Sequence, residues 1–136
     1  HINITGGEPT LRSDLVEIVE ACRPREIMVS LVTNALSLSK SKLKTLSDLG
    51  YNTVDFRIGN GRDGWQEYAP FHAIIVTAAS ETTPLALVDQ LDDGGRMVIP
   101  RGPQGGSQNL ILLTKDENGI ATEKKILPVS FVPLVE

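Results

Sequence analysis

Few side chains in this 136-residue chain could do chemistry. There are two histidines, His1 and His72, and a single cysteine, Cys22. One cysteine excludes an intramolecular disulfide and an all-cysteine metal site. No Ser–His–Asp constellation, catalytic carboxylate pair or metal-ligand spacing emerges, so no catalytic residue and no metal ligand is assigned. His72 stands at the start of a strand, where packing or exposure explains it better than general-base work. Glu8 sits between a Gly6-Gly7 turn and a helix, so the helix dipole accounts for it as readily as a ligand would. Gly6 and Gly7 serve a tight turn with or without a ligand. Asp63 reads as a solvated loop acid, and Asp116 and Glu117 as a hairpin tip.

The elements that must position these residues follow from periodicity. Ile2 to Thr5 reads as a strand, and Gly6-Gly7-Glu8-Pro9 as a turn. Leu11, Leu15, Ile18, Val19 and Cys22 recur at helical spacing, with Ser13 as a plausible cap and Pro24 as the stop. Ile27 to Thr33 is a buried strand, and Leu43, Leu46 and Leu49 mark a second helix ending at Gly50. Thr53 to Ile58 is a third strand, closed by Gly59-Asn60-Gly61. Ala73-Ile74-Ile75-Val76 is the strongest buried-strand signal. Pro84 opens a third helix whose Leu85, Val88 and Leu91 face the sheet, and Gly94-Gly95 turns into the strand Met97-Val98-Ile99. Asn109 to Thr114 and Ala121 to Leu127 flank Asp116-Glu117-Asn118-Gly119, a hairpin signal. The extended segment Val129 to Val135 ends the chain.

This pattern predicts a Rossmann-like three-layer αβα fold, a mostly parallel sheet with an antiparallel C-terminal hairpin, in one domain. With 40% hydrophobic and 22% charged residues, the chain has ordinary globular composition. A net charge of −4 offers no basic footprint for nucleic acid. No apolar run approaches the roughly 18 residues that span a bilayer. A reducing, cytoplasmic setting is the expectation. The chain opens directly on its first strand with no leader, which reads either as an artificial start or as a removed N-terminus.

Two resemblances add to this. Ile4-Thr5-Gly6-Gly7-Glu8-Pro9-Thr10-Leu11-Arg12 and Val32-Thr33-Asn34 resemble the Gly-Gly-Glu-Pro turn and the strand-end Thr-Asn-Gly of radical S-adenosylmethionine enzymes, over residues 1–42. That resemblance implies contact of Gly6, Gly7 and Glu8 with the cofactor's methionine moiety. The family's Cys-x3-Cys-x2-Cys signature is absent, and one thiol cannot hold its four-iron cluster, so no iron–sulfur cluster is expected.

Residues 43–136 resemble the C-terminal half of protein-L-isoaspartate O-methyltransferases. The matching blocks are Gly59-Asn60-Gly61-Arg62, Ala69 to Ala79, Leu91-Asp92-Asp93-Gly94-Gly95, Ile99-Pro100, Gly102-Pro103, Gly105-Gly106 and Phe131-Val132-Pro133-Leu134. The resemblance implies S-adenosylmethionine as cofactor, with Asn34 near the ribose position and Asn60 and Gly61 in place of the usual Gly-Asp-Gly. Trp65 and Tyr68 could cover an adenine, although shutting the sheet's upper edge is preferred. An amide at 60 instead of a carboxylate loses a charged acceptor, typically about 1.5–3 kcal/mol. The family's glycine-rich first turn and its upstream serine segment are missing, and its Asp after the Pro-Phe pair is His72.

The resulting expectation is an artificial or shuffled chimera of 1–42 and 43–136, with Gly6, Gly7, Glu8, Asn34, Asn60 and Gly61 gathered at the carboxyl ends of the strands. No resident cofactor is expected beyond weak S-adenosylmethionine binding. The alternatives are a truncated isoaspartyl methyltransferase with residual carboxyl methylation, or a homo-oligomeric module pairing unmet or swapped strands.

Overall fold

The computed structural model describes residues 2–5, 13–22, 29–33 and 54–134. The elements are β1 (Ile2–Thr5), α1 (Leu15–Cys22), β2 (Val29–Thr33), β3 (Val54–Ile58), a 3-10 turn (Gln66–Tyr68), β4 (Phe71–Val76), α2 (Leu85–Asp89), β5 (Leu91–Arg101), β6 (Gln108–Lys115) and β7 (Ala121–Val129). They build a seven-stranded sheet in the order β3-β2-β1-β4-β5-β6-β7. The first five strands of that order run parallel, and the β6–β7 hairpin adds antiparallel to β5.

The chain leaves β1 toward β2 and β3, then returns to the far side of β1 with β4. With right-handed crossovers, this reversal puts α1 and α2 on opposite faces of the sheet. The reversal point, between β1 and β4, is where an open α/β sheet leaves a crevice at its carboxyl edge.

One face of the sheet carries the core. Ile74, Met97 and Leu113 lie in one cross-strand row, and Val76, Ile99 and Ile111 also point to that side. All are buried, with Leu87 of α2, Phe71 and Leu134 in the same cluster. Each such side chain contributes about 1.5–3 kcal/mol on burial. The same row continues into β1 as Asn3, paired with Ile74. Asn3 is fully buried, and among the described residues neither its Oδ1 nor its Nδ2 has a hydrogen-bond partner.

The helix after Pro84 is shorter than its sequence pattern, and its face differs. Leu85 is 77% exposed, whereas Leu87 is buried and Val88 packs beside it. Leu91 already belongs to β5. Between Phe71↔Leu91 and Ala73↔Arg96, β4 advances two residues and β5 five, so Gly94-Gly95 lies in a bulge within one long strand. The hairpin forms as its turn residues require: Asp116 Oδ1 accepts from the N–H groups of Asn118 and Ile120, both at 2.8 Å. Among the described residues no helix is long and apolar enough to cross a membrane, which does not address β-barrels.

Candidate functional site

At the carboxyl edge, hydrogen bonds tie the ends of β1, β3 and β4 together. Thr5 O accepts from Thr77 N at 2.8 Å, and Thr5 Oγ1 donates to Gly61 O at 3.0 Å. The Gly59-Asn60-Gly61 turn is thereby fastened to the end of β1. Asn60 shapes that turn from within. Its Oδ1 accepts from Arg62 N at 2.9 Å, and its carbonyl accepts from Asp63 N at 3.2 Å.

The loop continues through a buried amide. Gln90, 3% exposed, receives Trp65 N on its Oε1 (2.8 Å) and donates from Nε2 to Asp63 O (2.7 Å). Gly64 sits directly against it at φ +62, where a Cβ would stand 2.3 Å from Gln90 Oε1. Trp65 packs on the core cluster with its ring centroid 4.5 Å from that of Tyr68.

Beyond β4, Ala79 and Ser80 are clamped on both sides. Ala79 N donates to Val132 O (2.8 Å), and Leu134 N donates to Ala79 O (2.7 Å). Ser80 N donates to Pro100 O (3.1 Å), and Gly102 N donates to Ser80 O (3.0 Å). The returning C-terminal segment is held by Gln108, also 3% exposed. Its Oε1 accepts from Phe131 N at 2.7 Å, and its Nε2 donates to Phe131 O and Pro103 O.

These clamps enclose a cavity of about 350 Å3, lined by Arg62, Ser80, Glu81, Gly102, Pro133 and Leu134 among others. Gly102 lets the chain after β5 pass close to the start of β6: at φ +143, a Cβ there would meet Ser107 O at 2.5 Å.

Of the residues expected to gather here, Asn60 and Gly61 are brought to the end of β1 beside this cavity. Gly6, Gly7, Glu8 and Asn34 lie outside the described residues, as does His1. His72 is at the opposite, amino end of β4; its side chain is 72% exposed and 3.5 Å from Asp92. Asp63 is exposed. Cys22 closes α1, and its side chain lies outside the described residues. Among the described residues, no group of three or more His, Cys, Asp or Glu side chains could hold a metal ion.

Sequence reasoning missed Arg62, Ser80, Gln90 and Gln108. A usable signal existed for the first two. Arg62 and Ser80 each stand four positions past a strand end, Ile58 and Val76, on the edge where such sheets bind ligands.

The strand order and carboxyl-edge cavity define a Rossmann-like α/β fold of the methyltransferase type. The chain belongs to the protein-L-isoaspartate(D-aspartate) O-methyltransferase family, whose profile matches residues 16–136. Protein-L-isoaspartate O-methyltransferase 2 of Syntrophobacter fumaroxidans is 48% identical over 98 residues, covering 72% of this chain and 40% of that protein. The Gloeobacter violaceus protein-L-isoaspartate O-methyltransferase is 47% identical over 97 residues, covering 71% and 47%. The chain thus spans less than half the length of these relatives.

The fold agrees. A solved protein-L-isoaspartate O-methyltransferase superposes with a TM-score of 0.77 at 23% identity, covering 99% of this chain and 41% of that one. A putative homologue from Plasmodium falciparum, in complex with S-adenosyl-L-homocysteine, gives 0.72 at 22% identity, covering 98% and 64%.

These matches correct the expectation of a chimera. The family profile crosses the supposed join near residue 42 without a break, and the fold likeness covers nearly the whole chain. The radical-enzyme resemblance rested on a strand, a glycine turn and a helix, which any βαβ unit needs where its backbone must turn tightly. So short a motif does not separate one such family from another.

Proposed function

We propose that the chain forms the cofactor and acceptor edge of an S-adenosylmethionine-dependent methyltransferase that esterifies isoaspartyl carboxylates. The observation that carries this reading is the cavity of about 350 Å3 at the carboxyl edge, beyond the ends of β4 and β5, in a chain of this family. The residues present fit the cofactor on one further point. Asn3 lies two positions before Thr5 on the same face of β1, buried with both polar atoms unmet among the described residues. A buried amide in that state requires a polar partner, and a ligand bearing hydroxyl, amino and carboxylate groups supplies one.

Thr5, Asn60 and Gly61 would hold the cofactor from the ends of β1 and β3. S-adenosylmethionine, when bound, supplies a methyl group on a sulfonium sulfur, which needs no acid or base from the protein. The chain's own contribution is position and dryness. The clamps at Ser80 and Gln108 hold the acceptor cavity in shape, and Pro133 and Leu134 exclude water from one wall. Such a reaction asks for no histidine, cysteine or metal ligand in the cavity wall.

Titration calorimetry of S-adenosylmethionine and S-adenosylhomocysteine tests the reading. The expected result is micromolar affinity, reduced by Asn60→Ala. Absence of binding up to about 1 mM, near −4 kcal/mol, overturns it. Methyl ester formation on an isoaspartyl peptide, and not on its aspartyl isomer, is the expected activity.

A further inference from the structure

Arg62 differs from the paired arginines of the described residues, and from Arg96, which is exposed and away from the cavity lining. Arg57 is paired with Glu67 and also donates to Gly64 O, and Arg101 with Glu123. Arg62 is half-buried, lines the cavity, and among the described residues its side chain makes one hydrogen bond, from Nη1 to Ser80 Oγ at 3.5 Å. It has no ion pair among the described residues, although Glu81 lines the same cavity. A guanidinium carries five N–H donors in a planar fork, and among the described residues one of them is engaged, at the edge of the cavity.

Both partners are held in place before any ligand arrives. Arg62 N is fixed by Asn60 Oδ1, and the backbone N–H and C=O of Ser80 are both bonded to the end of β5. Ser80 is 3% exposed, so its hydroxyl needs a partner within the cavity region. The wall made by Pro133 and Leu134 lowers the local polarity, which strengthens any charge-assisted bond formed there.

We propose that Arg62, with Ser80 beside it, is the carboxylate-recognition site of the acceptor cavity, taking the free carboxylate of an acidic peptide. The proposal rests on the methyltransferase reading for the identity of that peptide. A single carboxylate suits the site because its plane matches the guanidinium fork. A dianionic phosphate suits it less, since Glu81 in the same wall repels a second negative charge. Esterification removes the carboxylate's charge, so Arg62 grips the acid and lets go of the ester. Arg62 is therefore a positioning and specificity residue, whose loss weakens acceptor binding far more than it slows a bound acceptor.

The test is peptide binding to the full chain, with an L-isoaspartyl peptide, its α-methyl ester and the L-aspartyl isomer, all amidated at the C-terminus. Wild type, Arg62→Lys and Arg62→Gln are compared, and the Arg62 Nε–Hε resonance is followed in wild type. Expected is a preference of about tenfold for acid over ester, lost in Arg62→Gln, partly kept in Arg62→Lys, with the resonance moving for the acid alone. The site is refuted if Arg62→Gln keeps the preference, if wild type binds acid and ester alike, or if no carboxylate peptide moves the resonance. If both peptide isomers bind equally and both depend on Arg62, the carboxylate site stands and the isoaspartyl reading falls. If the isoaspartyl peptide is methylated while the Arg62 resonance stays still, the reading stands and the site falls.

Discussion

Gln90 and Gly64 form a coupled pair whose removal should loosen the loop that carries Asn60, Gly61 and Arg62. Gln90→Ala leaves Trp65 N–H and Asp63 C=O without their side-chain partner. At about 1–3 kcal/mol for each abandoned buried group, and the lower end for a part-buried loop, the expected loss is about 2–4 kcal/mol. Gly64→Ala adds a Cβ to a left-handed residue, costing about 1–2 kcal/mol in backbone terms alone. That Cβ also falls 2.3 Å from Gln90 Oε1 and 2.9 Å from Leu87 Cδ2. In wild type the amide must therefore move and give up its two bonds. In a Gln90→Ala background those bonds are already gone, and the backbone cost and the Leu87 contact remain.

The double mutant should thus be less destabilised than the sum of the singles by about 2 kcal/mol. The chain has one tryptophan, Trp65, and it lies in this loop. Urea unfolding followed by its fluorescence, with far-UV circular dichroism alongside, separates local loosening from global loss. Coincident transitions with an unchanged slope would give the stability change directly. Additivity within about 0.5 kcal/mol, or a Gln90→Ala protein as stable as wild type, would refute the argument.

Gln108→Ala removes three hydrogen bonds that hold Phe131 and Pro103; hydrogen exchange at the Phe131 amide should quicken by at least about tenfold, ahead of any change in β4. Asn60→Asp keeps an acceptor for Arg62 N while freeing a second, charged oxygen, so calorimetry should show S-adenosylmethionine bound about tenfold more tightly, the low end of a charged hydrogen bond. Arg101→Met breaks a 2.6 Å pair with Glu123 whose side chains are each about one-third exposed. Denaturation should register about 1 kcal/mol or less, fading in high salt.

The sheet was legible in the sequence because its strands are short, β-branched runs bounded by turn residues. Ala73 to Val76 and the hairpin around Asn118-Gly119 carried the clearest marks. The start of β5 was not legible. Gly94-Gly95 reads as a turn, yet a bulge absorbs both glycines, Gly94 at φ +76, and the strand begins at Leu91. The face of α2 was misassigned because five residues give too few turns for a period to show, and the pairing of Leu91 with Phe71 took that residue into the sheet.

The glutamines at 90 and 108 were invisible for a different reason. A polar residue in a local pattern looks solvent-facing, and their partners apart from Pro103 lie 23 to 27 residues away. The family was legible from residue 43 onward, where long blocks occur in order. It was lost before that, where a glycine turn between strand and helix serves many families alike.

On the proposed methyltransferase reading, the distribution of these misses follows from the chemistry. A reaction driven by placing a nucleophile against an activated methyl asks for proximity and exclusion of water, and little acid–base assistance. Residues that meet such a demand are the ones that hold walls in place: Gln108 binding the C-terminal segment, Ser80 bonded to β5, Gln90 fixing the loop after β3. None advertises itself by type, because amide and hydroxyl side chains are common everywhere on a surface. Their effects should also be inseparable from stability. Substitutions at Gln90 or Gln108 lower ligand affinity without touching ligand, in proportion to how far they free the cavity walls. Arg62 is the exception that can be tested cleanly, since among the described residues its side chain makes one long hydrogen bond and it lines the cavity itself.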